Sequence, residues 1–171
     1  FLKNWETIRQ KLFRFREKRV HPLKDDKILT DWNGMMIAAL SRGARILDQP
    51  RYKDAALKAA RFVLDRMGDA NGRLFHRYRE KDVAIDGHAE DYAFFIFGLL
   101  ELYQATFDPR ILKESLDLQK QMVDDFWDDE NGGFYSTSKS NRDLPVRPKE
   151  LYDGAIPSAN SMALYNFLCL S

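Results

Sequence analysis

The chain has three histidines, His21, His76 and His88, and two of them stand close to other groups that could move protons. His88 is followed by Glu90, Asp91 and Tyr92. His76 is followed by Arg77 and Tyr78. Imidazole is the side chain best matched to acid–base work near neutral pH. Carboxylates add a second possibility. Asp31-Trp32 recurs 60 residues later as Asp91-Tyr92, so the two acids are expected at matching places on neighbouring elements. Packed helices lie about 8–10 Å apart, and carboxylates held roughly 6.5–9.5 Å apart suit inverting glycoside hydrolysis. In a proton-transfer chemistry, His88 and His76 would be the pair and Arg77 would stabilise an anion or enolate. In a hydrolytic one, Asp31 would act with Asp91 or Glu90. The same acids at helix starts also serve as ordinary caps and dipole partners, and that reading stays open.

These residues must be held by a repeat. Asp69-Ala-Asn71-Gly72 returns as Asp129-Glu-Asn131-Gly132, and Asp48-Gln-Pro50-Arg51 matches Asp108-Pro109-Arg110 with one residue deleted. A fixed period of this size marks a repeat architecture. Apolar spacing predicts helices at about 4–19, 32–47, 52–67, 88–106, 109–127 and 157–170. The first, third and fifth are amphipathic. The second, fourth and sixth are apolar on nearly every side, which predicts burial all round. Alternation of this kind fits two concentric layers. The expected fold is all-α, a set of αα-hairpins forming part of an (α/α)6 toroid. Short β-hairpins lie between the helices, with strands near 74–78 and 83–85, and a polar loop spans 138–156. Residues 1–171 make one domain. Phe1 is not an initiator methionine and the chain stops within an apolar run, so a fragment is expected, lacking a repeat on each side. Two open ring edges would favour self-association.

In such an array the linkers before the inner helices share one face, where helix N-termini offer free N–H groups and partial positive charge. The candidates there are His21, Asp25, Asp26, Asp31, Trp32 and Asn33 from the first linker. The second supplies Asp86, His88, Glu90, Asp91 and Tyr92, and the third Tyr152, Asp153, Ser158 and Asn160. Trp32, Asn33, Tyr92, Arg77, Asp153 and Asn160 are the expected substrate contacts. Aromatic side chains there (Trp32, Phe75, Tyr78, Tyr92, Tyr135, Tyr152) could stack on sugar rings or plug the core.

Composition narrows the function. With 27 basic and 26 acidic residues the net charge is +1, which gives no field for nucleic acid or an anionic membrane. The acids Glu6 and Glu17 among the basic residues of the first helix make a solvated face. No run reaches the roughly 18 apolar residues of a span. A lone Cys169 in an apolar run excludes a disulfide framework and predicts a buried thiol in the cytoplasm. No metal site is expected from the scattered histidines, and no calcium loop, phosphate-binding loop or cofactor motif is present.

The runs Arg19-Val-His21-Pro22-x-x-Asp25-Asp26-Lys27-Ile-Leu29-Thr30-x-Trp32-Asn33-Gly34, Asp86-Gly87-x-x-Glu90-Asp91-Tyr92 and Asp153-Gly154-x-x-Pro157-Ser158-x-Asn160-Ser161 resemble the helical part of the thioredoxin-domain-containing proteins related to spermatogenesis-associated protein. The resemblance covers nearly the whole chain. It implies a toroid similar to six-hairpin glycosidases and N-acylglucosamine 2-epimerases and a thioredoxin-like domain elsewhere in the polypeptide, but carries over no activity; the leading expectation is a sugar-active or sugar-binding domain without a cofactor. The alternative it leaves is a non-catalytic helical scaffold.

Overall fold

The computed structural model describes residues 2–141 and 145–171, with residues 2 and 3 as backbone only; residues 142–144, in the expected 138–156 loop, lie outside the described residues. The order of elements is α1 (Leu2–Arg16), β1 (Ile28–Leu29), α2 (Thr30–Leu47), α3 (Pro50–Arg66), β2 (Phe75–Arg79), β3 (Asp82–Asp86), α4 (Ala89–Thr106), α5 (Pro109–Phe126) and α6 (Ala159–Leu170). Proline at the first position of α3 and α5 sets a helical φ where no intrahelical N–H is needed.

Helix α4 is the centre. Phe94, Phe95, Ile96, Leu99 and Leu102 are buried on all its sides, between α2 and α6 laterally and against α3 and α5. The expected burial all round therefore holds for α4. It does not hold for α2 and α6, where Met36, Ile46 and Leu47, and Leu164 and Leu168, are exposed. Each has an inner neighbour on one side only. The apolar face of α1 (Trp5, Ile8, Leu12, Phe15) is likewise exposed rather than packed as an outer layer. Cys169 is exposed, not buried, because it lies on the open side of α6. No helix among the described residues is long and apolar enough to cross a membrane.

Helices α2 and α4 cross in close contact. A Cβ added to Gly34 would stand 2.4 Å from the carbonyl oxygen of Phe94, and one on Gly98 would stand 2.6 Å from that of Gly34. Only glycine lets two backbones approach this closely.

The repeat runs at 59 residues through the helices, not 60. Helices α2 and α4 start at Thr30 and Ala89 and end at Leu47 and Thr106. Both close with a left-handed residue, Asp48 and Phe107. One extra residue in the second turn restores 60. Asp69 N–H donates to Arg73 C=O, whereas Asp128 N–H donates to Gly133 C=O. The counterpart of Asp69 is thus Asp128, whose Oδ1 accepts from Glu130 and Asn131, rather than Asp129. At the 59-residue register of the helices Asp31 matches Glu90, and Asp91 matches Trp32.

The hairpin is a sheet of order β1-β2-β3, antiparallel throughout. Two-residue β1 joins it by pairing Leu29 with Arg77. The turn residues Glu80 and Lys81 both have positive φ, as a two-residue hairpin of matching twist requires.

Candidate active site

Asp91 is the hub. It sits at the third position of α4, and its side chain is 1% exposed. Its Oδ2 accepts the N–H of His88, the N-cap residue, at 2.8 Å, and its Oδ1 accepts the N–H of Asp31 at 3.1 Å. One carboxylate thereby satisfies orphan amides at the starts of two helices. His76, delivered by β2, places Nδ1 3.0 and 3.1 Å from the two oxygens. These oxygens already accept amides, so Nδ1 carries the proton and Nε2 is left for chemistry.

The rings of His76 and His88 face each other edge to face, with centroids 5.2 Å apart. Both are partly exposed, His76 at 24% and His88 at 40%. The hydrogen bond that His76 donates to Asp91 raises the His76 pKa above its ordinary value against the opposing effect of burial. Burial and the neighbouring Asp91 charge raise that of Asp31. Burial, then Asp31 and Asp91, raise that of Glu90. The five expected acid–base residues, His76, His88, Asp31, Glu90 and Asp91, are thus within electrostatic reach of one another. Opposite His76, between the paired residues Phe75–Asp86 and Arg77–Ala84, Ile85 has φ 67°. A β-branched residue rarely adopts that conformation, and such strain tends to gather at functional sites.

His76, His88 and Asp91 each bring one possible ligand atom within 4.8 Å of the others. The oxygens of Asp91 are engaged by two amides and His76, so a cation would have to displace one of these donors. Hydrogen bonding accounts for the grouping as it stands.

The expected substrate contacts go different ways. Tyr92 is in the core, where its hydroxyl accepts Leu74 N–H and burial pushes its pKa up to about 12. Arg77 turns to Asp82, Asn33 caps onto Leu29 C=O, and Asp153 accepts Ser158 N–H in an exposed loop. Asn160 is 26 residues from Phe134 in sequence yet accepts its N–H at 2.7 Å and donates back to its carbonyl. All five are thus fastened to backbone or to another side chain. Trp32 is 64% exposed at the start of α2. His21, Asp25 and Asp26 are exposed, and Asp26 binds Arg79. Tyr78 packs on Phe62, and Tyr135 lies beneath Arg147 and Lys149 with its hydroxyl on Asp128. Glu150, which adds charge near Glu90, was not legible from sequence, since a loop of 19 residues carries it past the site.

An inner ring of parallel helices with outer partners and interposed hairpins is the architecture of (α/α)6 toroid enzymes. Solved structures agree. The chain superposes on cellobiose 2-epimerase from Bacillus thermoamylovorans with a TM-score of 0.72, 20% identity, and cover of 88% of this chain and 40% of that one. A glycoside hydrolase of family 105 from C. acetobutylicum gives a TM-score of 0.67 at 14% identity, covering 96% and 51%. At these identities the likeness concerns the fold. No protein-family model matches the chain. In sequence, the chain is homologous to a segment of spermatogenesis-associated protein 20: it is 37% identical to the human protein over 171 residues, 94% of this chain. The rat protein of that name is 34% identical over the same share. The chain spans about a fifth, 22%, of the length of these curated relatives.

Proposed function

We propose that this segment carries the acid–base half of a carbohydrate-active toroid, acting by proton transfer on a sugar, as an epimerase or isomerase does. The observation that carries the reading is the His76 Nδ1 to Asp91 contact at 3.0 Å with His88 facing it. That arrangement fixes a tautomer, leaves Nε2 of His76 available and places a second imidazole beside it. One ring withdraws a proton next to a carbonyl and the other returns one. Asp91 orients and does not itself exchange protons, because its oxygens are engaged. This makes Asp91 a poor hydrolytic base, and a hydrolytic reading rests on Asp31 and Glu90, whose raised pKa values suit an acid.

The test is proton exchange. The full-length protein is incubated with reducing sugars in D2O, and deuterium at C2 is followed by NMR. Exchange lost in His88→Ala and His76→Ala supports the reading. Glycoside cleavage that survives His88→Ala and fails in Glu90→Gln would replace it with hydrolysis. A second reading, a scaffold domain of a larger thioredoxin-like-domain-containing protein, is favoured by the capping bonds of Asp91 and Asn160. No exchange, no cleavage and no sugar-induced shift of either histidine would select it.

A further inference from the structure

We infer that Glu150 is a specificity residue of the histidine site: with Asp31, Glu90 and Asp91 it makes a set of carboxylates that admits a neutral or ammonium-bearing sugar and turns away sugar phosphates and uronates. The inference rests on the reading of His76 and His88 as a sugar site and adds to it the charge of the ligand. Glu150 comes from the loop before α6, and its place is fixed at both ends. Its carbonyl accepts Nδ2 of Asn160 at 2.9 Å, and its Oε1 accepts the N–H of Tyr152 at 2.9 Å. Nearby, Ser136 N–H donates to the carbonyl of Pro148 at 2.8 Å, and Ser136 C=O accepts the N–H of Ala89, the first residue of α4, at 3.0 Å. The loop and the start of α4 are therefore tied through one residue. Glu150 lies close enough to Glu90 for its charge to be felt there.

The charges at this site do not cancel. Asp31, Glu90, Asp91 and Glu150 stand against the imidazoles of His76 and His88, and Asp91 is already shared between His76 and two amides. Burial, then the neighbouring acids, hold Asp31 and Glu90 above the ordinary carboxyl range, so negative charge there is already penalised. The cations of the surrounding segments are engaged elsewhere. Arg77 binds Asp82 at 2.6 Å and Arg79 binds Asp26 at 2.8 Å. Lys149 donates to Asp128 and to the carbonyl of Gly132, and Arg147 to the carbonyl of Thr137, while both lie over the ring of Tyr135. A phosphate or carboxylate on the ligand would meet unpaired like charge in a partly buried site, where Coulomb energies run several times those in water. An ammonium would meet opposite charge, and a neutral sugar would meet neither penalty nor gain. Unlike Asp91, Glu150 holds no imidazole. Glu150→Gln keeps an oxygen for the N–H of Tyr152, so the charge can be removed with the loop in place.

Charged nitroxides test the field and sugars of matched size test the filter, both on the full-length protein. Broadening of the His76 and His88 ring proton signals by a cationic, a neutral and an anionic nitroxide of one ring type reads the local potential without any sugar. The cationic probe is expected to broaden them at least about threefold more than the anionic one, and Glu150→Gln to cut that ratio by roughly half. Glu114→Gln, which removes the same charge from an exposed position on α5, should leave the ratio unchanged. Glucose and glucosamine are expected to shift the two rings at concentrations at least about tenfold below glucuronate and glucose 6-phosphate. Equal broadening by the two charged probes, or a ratio that Glu150→Gln leaves unchanged, would overturn the inference. So would glucuronate or glucose 6-phosphate acting at lower concentration than glucose, with the acid–base reading intact. If the nitroxides behave as expected and no sugar shifts either ring, the sugar reading fails and the charge preference of the site stands.

Discussion

The amide of Asp31 donates to the carboxylate of Asp91 at 3.1 Å across the α2–α4 crossing, and the same carboxylate holds His76 and the N-cap amide of His88. Structure and site therefore share one side chain. Asp91→Ala would strand two backbone amides and an imidazole at a buried position. A loss of about 2–4 kcal/mol is expected from cap loss and a broken buried pair, read by urea unfolding. Asp91→Asn keeps one acceptor oxygen and should cost less.

The titration of His76 gives a second prediction. Its pKa is raised by Asp91, so it should titrate above the ordinary value of about 6.5. The stability this contributes is fully present below the unfolded-state pKa and is lost as pH rises through the folded one. Asp91→Asn should bring the His76 titration down. Histidine ring NMR across pH 5 to 9 reads both, and an unchanged His76 midpoint in Asp91→Asn would refute the pairing.

Asp31 also makes stability fall as pH rises, but as a penalty on its ionised form rather than as the loss of a favourable pairing. Burial and Asp91 raise its folded pKa, so above that pKa the ionised form is penalised in the folded state, and the penalty is absent below about pH 4. Asp31→Asn removes the charge and retains an oxygen for Trp32 N–H. It should raise stability by about 0.5–1 kcal/mol at pH 7, as removing unfavourable site charge commonly does, with no gain near pH 3.5. Thermal melts at the two pH values decide it.

The glycine crossing offers a steric test. Gly34→Ala would put a methyl 2.4–2.6 Å from the backbone of Phe94 and Phe95. Backbone in a buried helix yields little, so a cost of about 3 kcal/mol or more is expected. Gly43→Ala, whose Cβ would meet only the Tyr52 ring at 3.5 Å, should be neutral or stabilising by about 0.5–1 kcal/mol. Equal effects at the two positions would refute the close crossing.

Much was written in the sequence itself. Apolar spacing and the recurring Asp, Gly and Pro punctuation specified helices, hairpin and repeat, because these depend on residues near one another in the chain. Burial of α4 on every side also followed from its composition. Asp31, His88, Glu90 and Asp91 are expected on one face because they lie in the linkers and first turns of successive inner helices, and His76 because the hairpin before α4 carries it. Tertiary structure alone decided the rest. The change of register from 59 in the helices to 60 beyond the second turn rests on one added residue there, which its hydrogen bonds locate. Whether a polar side chain caps or reacts depends on which amides lie within hydrogen-bond reach, and for Asp91, Asp153 and Asn160 these belong to residues distant in sequence or to a folded loop. Tyr92 reads like Trp32 in sequence, yet one is buried and the other exposed, because α4 has inner neighbours on both sides and α2 on one.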